Sequence, residues 1–412
     1  SGQCVIVDPR TGETLAMAIV PQFNPNIFRK HRPEQWRNRT ITYCFEPGST
    51  MKPFLLAAAL DRGIVSPQTR FDCEQGAMTV SNKIIHDTKK HGLLSVSEIV
   101  MKSSNIGAVK IGQKLGYKIF VHYLKAFGFG EKTGIDLIGE RKGFIREPKS
   151  ARIIDKATIY FGQGMSASSI QLAMGMAAIA NGGKLMRPYV VRAIRDQKGR
   201  TVKKTHPKMV RRVLRSEIAK KVSTILEGVV SERGTAPLAE INGYRAAGKT
   251  GTSQKVDPRT RRYSKKNYVA MFLGFVPVHN PKLVILVVVD EPRGKRYGGL
   301  VAGPVFSEVG SWALNHLRIN PQIKMAKFEQ KVSERIRVSV SGTIAGAEGK
   351  AASAKRLPDF RGRTMREVLK EGTALGLKVL LEGTGFAIGQ VPGPGAVLDQ
   401  ITTVKVKFKP PM

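Results

Sequence analysis

The chain has 412 residues, with 68 Lys and Arg against 31 Asp and Glu, a net charge of +37. Hydrophobic residues make up 42%. That is enough for a packed core and excludes a disordered polycation, while the charge first points to nucleic acid or another polyanion. Three cysteines, Cys4, Cys44 and Cys73, cannot all pair and make no CxxC or Cys/His cluster, so neither a disulfide framework nor a metal site is expected. No run approaches the roughly 18 apolar residues of a membrane span.

Residues 1–20 read as a β-hairpin turning at Asp8-Pro9 and Thr11-Gly12. The chain thus opens inside a sheet without a signal peptide, and we expect a truncated or processed product. Residues 21–48 read as loop. The Ala-rich run after Glu46-Pro47-Gly48-Ser49 predicts a helix stopped by Gly63. Residues 95–116 predict helix, break, helix; 168–181 and 216–231 predict two more. Strands are expected at 244–252, 267–276 and 282–290, with a turn at His279-Asn280-Pro281, and a closing helix at 303–318. Helices enclosed between an N-terminal hairpin and C-terminal strands predict one mixed α/β domain over 1–318. A Lys-, Ser-, Ala- and Gly-rich stretch, 319–355, reads as linker. Residues 356–412 form a small unit: LPDFRG, a helix capped by Thr364, then strands LKVLLE and TTVKVKF.

Three short motifs follow in order: Ser49-Thr50-Met51-Lys52 (S-x-x-K), Ser103-Ser104-Asn105 (S-x-N) and Lys249-Thr250-Gly251-Thr252 (K-T-G-T). The first two are weak alone; the ordered set is far more specific. A serine at a helix start meets unpaired N–H groups and the positive end of the helix dipole. Lys52, at i+3, shares its helix face. A lysine acts as base only when neutral, and burial beside a second cation, Lys249, lowers its pKa. Ser103 and Asn105, two apart at a helix break, can point into one cleft, the hydroxyl to pass a proton and the amide to hold a peptide group. Gly251 permits close backbone approach, and an edge strand there can take an extended peptide by strand addition. The N–H groups of Ser49 and Thr252 are the candidate oxyanion donors. A second K-T-G, Lys132-Thr133-Gly134, lies between glycines and reads as a structural loop.

These motifs and the text around them resemble the transpeptidase domain of class B penicillin-binding proteins. VDPRTGETLAM, RNRTITYCFEPGSTMKP, GFGEKTGIDLIGE, YFGQGMSASSIQLAM, IANGG, AAGKTGTSQ, MFLGFVPVHNPKLVILVVVDEP and GGLVAGPVF are similar to family segments in family order, covering roughly residues 1–318. The tail resembles a PASTA module. The resemblance implies a serine β-lactamase-like fold, a central antiparallel sheet flanked by helices, with a small α+β tail. It implies a peptidoglycan D,D-transpeptidase: Ser49 as nucleophile, Lys52 as its base, Ser103 relaying protons with Lys249, Asn105 holding the donor peptide, and Thr250 and Thr252 its carboxylate. It further implies stem peptides and β-lactams as ligands, a membrane-embedded glycosyltransferase and division proteins as partners, no cofactor, and a single-pass anchor that leaves the catalytic domain outside the cytoplasmic membrane. Ser104 replaces the Asp of class A β-lactamases. Neither Glu140 nor Glu147 has the Asn four residues on that accompanies the deacylating Glu of those enzymes, because Phe144 and Ala151 stand there. Slow hydrolysis of the acyl-enzyme is therefore expected.

Taken singly, each residue has a plainer reading. Ser49 alone is an N-cap and Lys52 a solvated helix lysine. Ser103 and Asn105 alone cap the next helix, and Gly162-Gln163-Gly164 is a structural turn. His86, His91 and His122 read as surface residues. The basic runs 203–215 and 259–266 read as exposed loops facing anionic lipid or wall polymer. With 7% aromatic residues there is no stacking platform, and nucleic-acid binding is not expected. A β-lactam or muropeptide sensor and a D,D-carboxypeptidase remain as alternatives with the same acyl-serine.

Overall fold

The structure, a computed structural model, describes residues 1–321 and 356–409, except 258, 261, 384 and 399–401. The expected linker lies outside the described residues from 322 onward. The described residues fall into two compact units, each with its own apolar core.

In the first unit, strands β1 (Gly2–Val7) and β2 (Thr14–Val20) form the expected hairpin. After them come helices α1 (Lys52–Asp61), α2 (Val96–Lys102), α3 (Asn105–Leu115), α4 (Ser169–Ala180) and α5 (Ser216–Val230). Strands β3 (Ala247–Val256), β4 (Tyr263–Val276) and β5 (Leu283–Asp290) follow, and helix α6 (Gly303–His316) closes the unit. One antiparallel sheet has the order β3-β4-β5-β1-β2, so the two chain ends of the unit meet at its centre.

Strand β5 is buried at every position from Leu283 to Val288, as a strand covered on both faces must be. Alternation decides which helix lies on which face. Phe272 meets Phe306 of α6 edge to face with centroids 4.7 Å apart. Its neighbour Met271 points the other way, toward Thr50 at the entrance to α1. Helix α4 is buried from Ser169 to Ile179 and packs on β1, β4 and β5. A helix apolar all round belongs in an interior. Its Gly175 leaves room for Phe54 of α1, which also packs on Phe127 and Phe129. Helix α1 is therefore anchored, with Lys52 through Leu60 all buried.

The structure moves several expected boundaries. Strand β3 starts at Ala247 and runs on to Val256; β4 starts at Tyr263, so 263–266 belong to a strand rather than a loop. Lys255 in this extension pairs with Asp290 and Glu291. The basic run 203–215 contributes to a short hairpin through Thr201–Lys204 and, through Met209–Arg212, to a second two-stranded ladder with Lys184–Met186. The sequence reading had no element for the helix Tyr117–Ala126 or the hairpin Ala77–Val80 with Lys83–His86.

The second unit has helix α7 (Met365–Ala374), with Thr364 and Glu367 making a capping box, and strands β6 (Lys378–Glu382), β7 (Phe386–Val391) and β8 (Thr403–Lys409). Strand β8 lies between the others, parallel to β6 and antiparallel to β7. Its Val404, Val406 and Phe408 face the core and Lys405, Lys407 and Lys409 the solvent. Strand β7 escaped the sequence reading because Gly389 breaks its alternation, at a register shift. Since the two cores are separate, deleting 356–412 is expected to leave labelling of Ser49 by a fluorescent penicillin unchanged. A large fall in the labelling rate would contradict it.

Candidate active site

Ser49 sits in a 3-10 turn, Gly48–Met51, just ahead of α1. It is half-buried between buried neighbours Gly48 and Thr50. The turn is wedged tightly. Gly48 donates its N–H to Gly162 O at 3.0 Å, and both glycines have positive φ. A Cβ on Gly162 would fall 2.1 Å from Gly48 O, so only glycine fits. The Gly162-Gln163-Gly164 turn thus supports the serine turn directly. Gly164 N–H and Tyr263 O–H both donate to the Glu46 carboxylate, at 2.9 and 3.0 Å, and burial raises its pKa.

On the other side lies β3, an edge strand as expected. A Cβ on Gly251 would lie 2.9 Å from Thr50 Cγ2 and 2.5 Å from Met271 Cγ. Gly251 therefore makes room for the protein's own serine turn rather than for an arriving backbone. A Cβ on Gly48 would come within 3.6 Å of Thr252 O, which puts the Ser49 and Thr252 backbones on one cleft. Gly298 has the same character, since its Cβ would fall 2.2 Å from Met271 O and 2.4 Å from Gly251 O.

Lys52 and Lys249 are both buried, at 1% and 0% exposure. Lys52 Nζ donates to Ser103 O at 2.6 Å, Asn105 Oδ1 at 2.8 Å and Ser103 Oγ at 3.2 Å. None of these bonds goes to Ser49. Lys249 Nζ approaches the same Ser103 Oγ at 2.9 Å and Thr250 Oγ1 at 3.1 Å. One hydroxyl thus lies between two amines. Burial pulls the Lys52 pKa down to about 7, against the opposing pull of the Asp87 charge. Burial pulls Lys249 well below the ordinary lysine value, and the Lys52 charge pushes it further the same way. Two ammonium ions cannot both persist in such a pocket.

Ser103 reaches this position through a left-handed backbone, φ +63°, as the residue that ends α2. Ser104, not Ser103 or Asn105, caps α3, accepting Gly107 N–H at 2.9 Å. Asp87 completes the arrangement. Its carboxylate accepts Ser104 Oγ–H at 2.6 Å, Ile106 N–H at 3.2 Å and Asn105 N–H, while Asn105 Nδ2 donates to His86 O at 2.9 Å.

All eight residues singled out by the motifs come together, with a difference at Thr250. Thr250, expected to meet a substrate carboxylate, is 7% exposed and its hydroxyl faces Lys249 and, at 3.0 Å, Thr235. Thr252 is half-exposed and accepts Gly298 N–H on Oγ1 at 3.1 Å, which leaves its own proton for a ligand. Sequence reasoning missed Asp87, Thr235 and Glu46. A lone Asp in the polar run 86–91 carries no spacing signal. The second K-T-G is indeed a loop: Thr133 and Gly134 N–H donate to Glu140 at 2.7 and 3.1 Å.

The arrangement combines a serine-bearing turn with two buried amines of lowered pKa and an edge strand. The family described as penicillin binding protein transpeptidase domain matches residues 2–310. The chain belongs to the penicillin-binding protein transpeptidase family. A PASTA domain matches 355–410. Among curated relatives, stage V sporulation protein D of Bacillus subtilis is 37% identical over 323 residues, 77% of this chain and 50% of that protein. The peptidoglycan D,D-transpeptidase FtsI of Escherichia coli is 35% identical, covering 78% of this chain and 52% of the relative. The chain spans about half the length of these relatives. Two solved structures are similar. The transpeptidase domain of Burkholderia pseudomallei penicillin-binding protein 3 has TM-score 0.68 and 35% identity, over 78% of this chain and 90% of that one. Penicillin-binding protein 3 of Mycobacterium tuberculosis, complexed with aztreonam, has TM-score 0.72 and 28% identity, over 78% and 74%.

In this penicillin-binding protein, Asp87 both accepts the first N–H groups of α3, beside the Ser104 cap, and raises the Lys52 pKa. Asp87→Asn is expected to lower stability by about 1–2 kcal/mol, seen as a lower melting temperature. It should also move the Lys52 titration to lower pH, followed by NMR of the lysine side chains. An unshifted titration would show that Asp87 acts on the backbone alone.

Proposed function

We propose that this chain is the catalytic part of a peptidoglycan D,D-transpeptidase working through a Ser49 acyl-enzyme. The observation that carries the reading is the Ser103 hydroxyl held between two buried amines of lowered pKa, beside a half-exposed serine turn. With Lys52 neutral, its Nζ still donates to Ser103 O and Asn105 Oδ1 and offers its lone pair. Ser49 Oγ then attacks the penultimate D-Ala carbonyl of a stem peptide, and its proton passes to Lys52. The carbonyl oxygen, now negative, is taken by the N–H groups of Ser49 and Thr252. As the bond to terminal D-Ala breaks, Ser103 delivers a proton to the leaving amine, and Lys249 restores it. The amine of a second stem gives up its proton by the reverse route and takes the acyl group, which regenerates Ser49.

Thr252 binds the donor carboxylate, and Thr250 orients Lys249 rather than touching substrate. Asn105 holds the donor peptide. β-Lactams acylate the same serine. No described helix is long and apolar enough to cross a membrane. We place the unit outside the cytoplasmic membrane, tethered by a segment preceding this sequence. It would serve division or sporulation beside a membrane-embedded glycosyltransferase.

A fluorescent penicillin is expected to label the chain on the peptide containing Ser49, and Ser49→Ala to abolish labelling. An adduct on the Ser49→Ala chain would refute the assignment. Transfer of a thioester donor to a D-amino acid tests catalysis beyond acylation. The base must be neutral, so the acylation rate should rise with pH through about 7, the value for Lys52. A flat profile across that range would remove Lys52 from the role.

A further inference from the structure

Residues 187–212 carry ten Lys and Arg against one acid, Asp196. That one carboxylate is used inside the segment, where it accepts Lys198 and Arg200 N–H and pairs with the Arg200 guanidinium. Apart from Arg200 and Arg211, which pairs with Glu131, none of the ten makes an ion pair among the described residues. The same segment exposes large aliphatic side chains: Val190, Val191, Ile194, Val202, Met209 and Val210 are each 41–68% accessible.

Five of these cations, Arg195, Lys198, Arg200, Lys203 and Lys204, sit with Ile194 and Val202 on a hairpin that packs on no core, and the others flank it. Ala193–Arg195 pairs with Thr201–Lys204, and every one of these positions is exposed. A bare two-stranded hairpin is marginal by itself, and exposed aliphatics on it add nothing to the fold. Ile194 pairs directly across the ladder with Lys203. Beneath them is a groove of about 400 Å³, lined by Pro188, Val191 and Ile194 together with Arg187, Lys203 and Lys208. Asp136, also on its wall, accepts Val190 and Val191 N–H at 2.7 and 2.8 Å, and its one negative charge stands against the three cations of the groove.

Cations alone fit any polyanion. Cations interleaved with solvent-facing aliphatics fit an interface that is both negatively charged and apolar a few ångströms deeper. We propose that this face docks on the surface of an anionic phospholipid bilayer. The lysines and arginines would meet headgroup phosphates, and Val191 and Ile194 the acyl boundary. The face is separate from the Ser49 cleft and shares no residue with it.

The test is sedimentation of the whole chain with vesicles at physiological salt. Vesicles of phosphatidylcholine mixed with phosphatidylglycerol should bind it, and pure phosphatidylcholine should not. Lys203→Gln with Lys208→Gln should weaken binding about five-fold per lysine. Val191→Ser with Ile194→Ser should weaken it at least about three-fold with charge unchanged. Lys220→Gln with Lys221→Gln, on α5, makes the same change in net charge and should have little effect. Unchanged melting temperatures confirm that each variant is folded. Three results would overturn the proposal: no binding to the mixed vesicles, equal loss with the α5 pair (diffuse charge), or no loss with the aliphatic pair (a bare polyanion site).

Discussion

One hydroxyl group holds the centre together. Ser103 Oγ lies within hydrogen-bond distance of Lys52 Nζ and Lys249 Nζ, which arrive from a helix and a strand far apart in sequence. Burying an ammonium without a partner costs several kcal/mol. The protein limits that cost in two ways. It surrounds Lys52 with three oxygen acceptors, and it lowers both pKa values until the charged forms need not coexist. The rest follows from keeping that hydroxyl in place: the left-handed turn at Ser103, the Ser104 cap, and the Asp87 carboxylate at the start of α3.

Much of this was legible in the sequence because it is local. Pro47-Gly48 before an Ala-rich run marks the serine turn; Ser95 and Ser168, each with Glu or Gln three residues on, mark the starts of α2 and α4. The apolar run before Asp290 marks a strand buried on both faces. The order of the three motifs then indicates which side chains meet. What stayed hidden depends on contacts between distant segments. Asp87 has no periodic neighbour to reveal it, and the inward turn of Thr250 is set by Thr235 and Lys249 rather than by its own motif. The length of the β3–β4 hairpin depends on Lys255 finding Asp290 and Glu291, and 263–266 otherwise has the composition of a loop. In the small unit, β8 showed itself by strict alternation, whereas β7 did not.

The net charge of +37 resolves into unlike parts. Lys52 and Lys249 are interior groups that burial makes easier to deprotonate. Lys405, Lys407 and Lys409 are the solvent half of an alternating strand. Of the ten cations of 187–212, five are carried by a hairpin whose strand residues are all exposed, and the rest flank it. A single total therefore describes several different physical situations.

The close fit around the serine turn also bears on how this cleft can evolve. Gly162 stands against Gly48 O, and Gly251 against Thr50 and Met271, with no space for a methyl group at either place. A side chain at either place must displace the turn that carries Ser49 or the residues packed against it. The floor of the cleft is thus closed to gradual remodelling. More room for variation lies at the rim, where Tyr297 faces solvent and a substitution need not disturb the turn beneath.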